Sequence, residues 1–146
     1  MTSLDRSGCF IAGIVALILS TMGSEAFGHE IDKKIDVEMA QKFALAAVKP
    51  AFEDVEMSKM PDDYAPPFIM FEGADFQLPG SFMVGHFAVN PWTGDVWDTG
   101  GFCRRLTTPA LKEMQAKIRR SFSRKEKEAY DRLHKLKPWC DADPVE

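Results

Sequence analysis

The stretch that decides the fold is residues 81–98, SFMVGHFAVNPWTGDVWD. An extended chain over residues 81–89 puts Phe82, Val84, His86 and Ala88 on one side and Met83, Gly85, Phe87 and Val89 on the other. Apolar groups on both faces read as a central strand rather than a half-solvated one. Asn90-Pro91-Trp92-Thr93-Gly94-Asp95 then has Pro and Gly where a chain reversal needs them, and Val96 to Asp98 begins a returning strand. An antiparallel hairpin is therefore expected in the core.

Working outward, Asp36 is placed to cap a helix running to about Lys49, with Val37, Ala40, Phe43, Ala44, Ala47 and Val48 along one face and Pro50 ending it. Residues 51–60 either prolong that helix after a kink or form a separate turn. Pro61-Asp62-Asp63 and Ala65-Pro66-Pro67 force a loop, expected to be mobile and ligand-facing, before the short apolar run at residues 68–71. Downstream, Thr108 followed by Pro109 starts a helix with a narrow stripe of Leu111, Met114, Ile118 and Phe122. Ser123 with Glu126 is a capping box opening another helix, edged by Tyr130, Leu133 and Leu136 and stopped by Pro138. The expected fold is α+β, an N-terminal helix on a small antiparallel sheet followed by a C-terminal helical pair.

The apolar run at residues 10–19, FIAGIVALIL, has the length of a signal-peptide core, about half the roughly 20 residues that a bilayer span needs. Ser24 and Ala26 give a small-x-small cleavage site before Phe27, and Ala26 with Gly28 a second before His29. Residues 1–26 are thus expected to be a signal peptide and residues 27–146 one domain, periplasmic or secreted and without a stable membrane anchor. Cleavage would remove Cys9 and leave Cys103 and Cys140, which an oxidising compartment would pair.

Charge is unevenly distributed. Residues 27–100 hold five Lys/Arg against thirteen Asp/Glu, whereas residues 101–146 hold twelve against seven. The net acidity of the chain and its lack of a recognition motif argue against nucleic acid as a partner. His29, His86 and His134 stand in no ligand spacing that marks a metal site, so no metal and no cofactor is expected. The one exception is His29, which cleavage after Gly28 would place beside a free amine. His86 reads as a hydrogen-bonded core residue and His134 as part of a solvated helix face. Gly100-Gly101 beside Arg104-Arg105 could offer backbone N–H groups to an anion. No catalytic residue is assigned, because none of the carboxylates or histidines shows the paired environment that acid–base chemistry needs.

Trp92-Thr93-Gly94-Asp95-Val96-Trp97 places large aromatics and an acid at a hairpin tip, a composition common in protein interfaces. Trp92, Thr93, Asp95 and Trp97 are accordingly the candidate protein-binding residues. The alternative packs Trp97 under the C-terminal helices and lays Trp92 over the turn. With the helix from Asp36 before it, Val89-Asn90-Pro91-Trp92-Thr93-Gly94-Asp95-Val96-Trp97 resembles the helix-then-hairpin pattern of PepSY-like and nuclear-transport-factor-like small exported proteins. Periplasmic immunity proteins with a similar V-x-x-x-T-G-x-V-W strand-turn-strand are among the proteins it resembles. That resemblance implies a non-enzymatic module that binds another protein, such as a secreted cell-wall-degrading toxin or an envelope enzyme. A small-ligand or metal-binding module using the concave sheet face and His29 is the alternative.

Overall fold

The computed structural model describes residues 31–76, 82–101 and 103–140; the expected leader, its cleavage positions, Cys9 and His29 lie outside them. Helix α1 (Val37–Val48) comes first, then strands β1 (Val55–Lys59), β2 (Ile69–Asp75), β3 (Phe82–Val89), β4 (Val96–Asp98) and β5 (Arg104–Leu106), then helices α2 (Pro109–Arg120) and α3 (Arg124–His134). The sheet is a meander, β1-β2-β3-β4-β5, with every neighbouring pair antiparallel. This is the α+β arrangement expected from sequence.

The caps act where the sequence places them. Asp36 Oδ1 accepts from the Met39 amide at 2.8 Å, Thr108 Oγ1 accepts from Leu111 at 3.1 Å, and Ser123 with Glu126 closes a reciprocal capping box. Glu126 also takes Lys34 Nζ at 2.7 Å, tying the lead into α1 to the start of α3. The lysine, with the Ser123 backbone and hydroxyl donors, holds the Glu126 carboxyl down to about 2.

Two apolar layers flank the sheet. On one face α1 buries Ala40, Phe43, Ala44, Ala47 and Val48 against Val55, Met57, Phe71, Phe87, Val89 and Val96. Each large side chain so enclosed contributes about 1.5–3 kcal/mol. On the other face Ala65, Phe68, Met70, Ala88 and Trp97 form a smaller cluster joined by Met60, Cys103 and Leu136. The 61–68 loop is therefore a cover for the sheet, with Ala65 and Phe68 buried, where the sequence led us to expect a mobile segment.

Three further differences from expectation have physical causes. Residues 55–59 form an edge strand instead of a helical extension: Val55 and Met57 alternate into the core, and Gln41 Nε2 of α1 covers the Met57 carbonyl at 2.9 Å. Pairing of β3 with β2 shifts after Gly73–Gly85, so that Val84 is an extra residue and Ala74 faces Met83. That bulge inverts the alternation of β3 beyond it and moves Met83 to the His86 face. The short strand β5 was not anticipated; it pairs Trp97 with Arg105 and Val96 with Leu106.

Cys103 and Cys140 are bonded, with their Cα atoms 5.6 Å apart and 37 positions separating them in sequence. The bridge closes the C-terminal tail onto the start of β5. Closing a loop of this length constrains the unfolded chain by about 4 kcal/mol in the entropy model.

Gly94 is the tightest backbone position in this packing, with φ of 72° and a Cβ position that overlaps the Phe43 ring. Gly94→Ala combines a left-handed backbone penalty with overpacking and is expected to destabilise the fold by about 2–4 kcal/mol, read by urea unfolding. A loss below about 0.5 kcal/mol would show that α1 does not sit on this turn.

Candidate functional site

The turn at residues 90–95 lies inside the molecule. Asn90 is fully buried; its Oδ1 accepts from the amides of Trp92 at 3.0 Å and Thr93 at 3.2 Å, and its Nδ2 donates to the Leu133 carbonyl of α3 at 2.9 Å. The Pro91 carbonyl accepts from the Lys34 and Ile35 amides, both at 3.0 Å. Trp92 Nε1 donates to the Ile31 carbonyl at 3.0 Å, and Gln115 Nε2 of α2 to the Gly94 carbonyl at 3.0 Å. The N-terminal lead, α2 and α3 thus all end their polar contacts on one six-residue reversal.

A second layer of contacts centres on Asp95, which is only 3 % exposed. Its Oδ2 accepts from the Thr93 hydroxyl at 2.5 Å and stands 2.7 Å from His134 Nδ1. Arg105 Nη1 lies 2.6 Å from His134 Nε2, and Nη2 donates to the His134 carbonyl at 2.6 Å. Since the guanidinium can only donate, these partners assign the imidazole as the Nδ1–H tautomer, donating to Asp95 and accepting from Arg105. Tyr130 stacks on the imidazole at 5.2 Å with planes 16° apart; burial first and the Asp95 charge second push its phenol pKa up. Arg105 also lies over the Trp97 ring, 5.0 Å from its centroid.

This aspartate–histidine pair has the outline of an acid–base dyad, but its outer nitrogen is already engaged. A general base needs Nε2 free to meet a substrate proton, and here the Arg105 guanidinium occupies that position. The arrangement is a clamp, fixing the turn before β4 to β5 and to the end of α3. His134 is therefore not part of a plain solvated face, as its helix composition implied. Arg105 is likewise consumed by Trp97 and His134, and Arg104 Nε stands 3.7 Å from Asp98, so the Gly100-Gly101-Arg104-Arg105 feature does not assemble an anion site.

The four residues assigned from sequence as protein-binding are thus located: Trp92, Thr93, Asp95 and Trp97 are each at most 6 % exposed. They do not form an outer contact surface. The helices that follow the hairpin fold back over its tip, and Trp97 packs among Ala65, Phe68, Met70 and Ala88 on the opposite sheet face. Its Nε1 has no hydrogen-bond partner among the described residues.

Exposed apolar groups collect at the other end of the sheet. Phe76, Phe82 and Met83 flank the β2–β3 connection and are 60 %, 51 % and 55 % exposed. On the face that the 61–68 loop only partly covers, strand register sets Ser58, Glu72 and His86 in one row and Glu56, Ala74 and Met83 in the next. Glu72 Oε2 lies 3.8 Å from His86 Nε2. Tyr64 and Trp139 stand beside this surface, and Lys59 is the single Lys or Arg between residues 50 and 100, against nine Asp/Glu. Sequence reasoning missed the region because alternation assigned Met83 to the opposite face from His86 and treated Tyr64 as part of a loose loop.

Elsewhere, α1 and α2 leave a shallow apolar recess of about 420 Å³ lined by Met39, Phe43, Met114, Lys117, Ile118 and Ser121. Among the described residues no group of three or more His, Cys, Asp or Glu is placed to hold a metal ion, and no helix is long and apolar enough to cross a membrane.

No family model matches the chain, and no curated protein does. Among solved structures, a chain of one described as a type VI secretion system effector-immunity complex from Pseudomonas protegens is similar at 21 % identity and a TM-score of 0.46. The likeness covers 66 % of this chain and 85 % of that one.

The clamp is testable by a double-mutant cycle on Asp95→Ala and His134→Ala. A coupling of about 0.5–2 kcal/mol in unfolding free energy is expected from a charge-assisted pair of which Asp95 is buried and His134 half-buried; additivity within about 0.3 kcal/mol would contradict the clamp.

Proposed function

We propose that the protein is an exported protein-binding module of the inhibitor or immunity kind, whose acidic sheet end covers a basic site on another protein. The observation that carries this reading is the concentration of Phe76, Phe82 and Met83 in solvent at one end of the sheet. Large apolar groups gathered at one edge beside charge mark association surfaces, and here Glu56 and Glu72 share the sheet face of Met83, while Phe82, paired with Asp75, stands at the same end on the other face. The carboxylates steer a basic partner and set its orientation; the apolar groups supply most of the affinity.

Three other features support the reading. The imidazole with the strongest contacts, His134, is held in a structural clamp with its Nε2 occupied. The bonded pair Cys103–Cys140 suits an oxidising compartment, in keeping with the leader expected at residues 1–26. The resemblance of residues 89–97 to small exported immunity-type proteins points in the same direction. The partner class proposed is a secreted cell-wall-degrading toxin or an envelope enzyme with a basic cleft.

The test is a crosslinked capture from the envelope fraction, comparing the tagged protein with a Phe82→Ser/Met83→Ser variant and with Glu56→Gln/Glu72→Gln. One stoichiometric partner is expected, inhibited by added protein, with affinity falling about tenfold or more in the apolar variant while the melting temperature stays within a few degrees. The charge variant is expected to slow association and reduce its dependence on salt. A partner bound equally well by all three proteins, or none at all, would refute the assignment of this surface.

A further inference from the structure

We propose that Tyr64 and Trp139 form a recognition corner for one guanidinium group, an arginine side chain displayed by the partner protein. The inference rests on the protein-binding reading above and adds the chemistry of one contact within it.

Trp139 is the most exposed large hydrophobic residue described, at 62 %, yet its position is fixed on both sides. Pro138 is buried, and Cys140 is bonded to Cys103 at the end of the sheet. The indole is thereby held in solvent by the same bridge that closes the fold. Tyr64 is fixed in a comparable way: its amide donates to the Pro61 carbonyl at 3.3 Å, and the next residue, Ala65, is buried in the sheet cover. The two rings meet with centroids 6.4 Å apart and planes 78° apart, forming two walls of a corner. Behind Tyr64, His86 packs edge-on at 6.3 Å, and Glu72 is its neighbour at 3.8 Å.

Charge selects a cation for this corner. Asp62 and Asp63 immediately precede Tyr64, and Glu72 is 44 % exposed at its side chain; against these three acids stand Lys59, the single Lys or Arg between residues 50 and 100 and already engaged with Asp62 at 2.6 Å, and Lys137, two positions before Trp139. Among the described residues the cations that lie over aromatic rings are Arg105 on Trp97 and Arg119 on Tyr130, so neither wall of the corner is covered by one. A planar guanidinium can lie flat on an indole while its N–H groups reach carboxylates at the edge, which a compact ammonium cannot do as well. At an exposed site such a contact is worth about two- to fivefold in affinity, and the carboxylates at the edge add to it for a chain that carries several guanidinium groups.

The experiment titrates an acetylated, amidated tri-arginine peptide, and tri-lysine in parallel, into the full chain with its disulfide intact, following the indole N–H resonances. The Trp139 resonance is expected to move saturably with tri-arginine while those of Trp92 and Trp97 stay in place. Affinity is expected to fall about threefold or more in Trp139→Ala and in Tyr64→Ala, to be largely kept in Trp139→Phe, and to be weaker for tri-lysine. Equal affinity for the two peptides, indifference to Trp139→Ala, or no movement of the Trp139 resonance overturns the proposal. If the corner fails while partner capture still depends on Phe82 and Met83, the recognition corner alone is wrong. If the corner binds tri-arginine as expected while capture ignores Phe82 and Met83, it is the broader surface assignment that falls.

Discussion

Everything in this molecule depends on a turn that has been taken out of water. Six residues, Asn90 to Asp95, are buried together, and a buried reversal carries donors and acceptors that must all be matched inside the protein. Asn90 does most of the matching, closing the turn with its carbonyl oxygen and reaching α3 with its amide nitrogen. Each such bond is worth about 1 kcal/mol net, but leaving a buried group unmatched costs about 1–3 kcal/mol. The surrounding elements are therefore obliged to arrive in fixed positions: the chain before α1 on the Pro91 carbonyl, Phe43 against Gly94, Gln115 on the Gly94 carbonyl and His134 on Asp95.

With the hairpin turn committed to the interior, the surface available to a partner lies at the opposite end of the sheet. The charge division along the chain becomes a spatial one. Glu56, Asp62, Asp63 and the half-exposed Glu72 lie toward the surface on the side of Met83, Tyr64 and Trp139, while eight of the twelve Lys/Arg of residues 101–146 belong to α2 and α3. The disulfide serves both halves, since it secures the tail under which Trp97 is buried and presents Trp139 next to Tyr64.

Much of the fold was legible in the sequence because it is written in local signals. The caps Asp36, Thr108 and Ser123, the stops at Pro50 and Pro138, and the reversal at residues 90–95 all act over a few residues. What could not be read required tertiary information. A bulge at Val84 inverts the periodicity of β3, and no single residue announces it. The burial of Trp92, Thr93, Asp95 and Trp97 depends on helices that follow them in sequence, and the composition of a turn is the same whether its tip meets solvent or α3. His134 looked solvated because its helix is dense in Lys, Arg, Asp and Glu; its pairing with Asp95 spans 39 positions. The one local hint was Asp95 beside Thr93, since an acid placed to accept from its own turn is a sign of an internal network.

Native-state hydrogen exchange can be followed at the amides of Asn90, Trp92 and Gly94, each of which is bonded within the turn. If the turn is the buried point on which the helices converge, these amides exchange only through global unfolding, with the same free energy as the core amides of β2 and β3. Exchange through a local opening about 3 kcal/mol or more below the global value would mean that the hairpin tip works free of the helices, and would contradict the turn's role as the anchor of the fold.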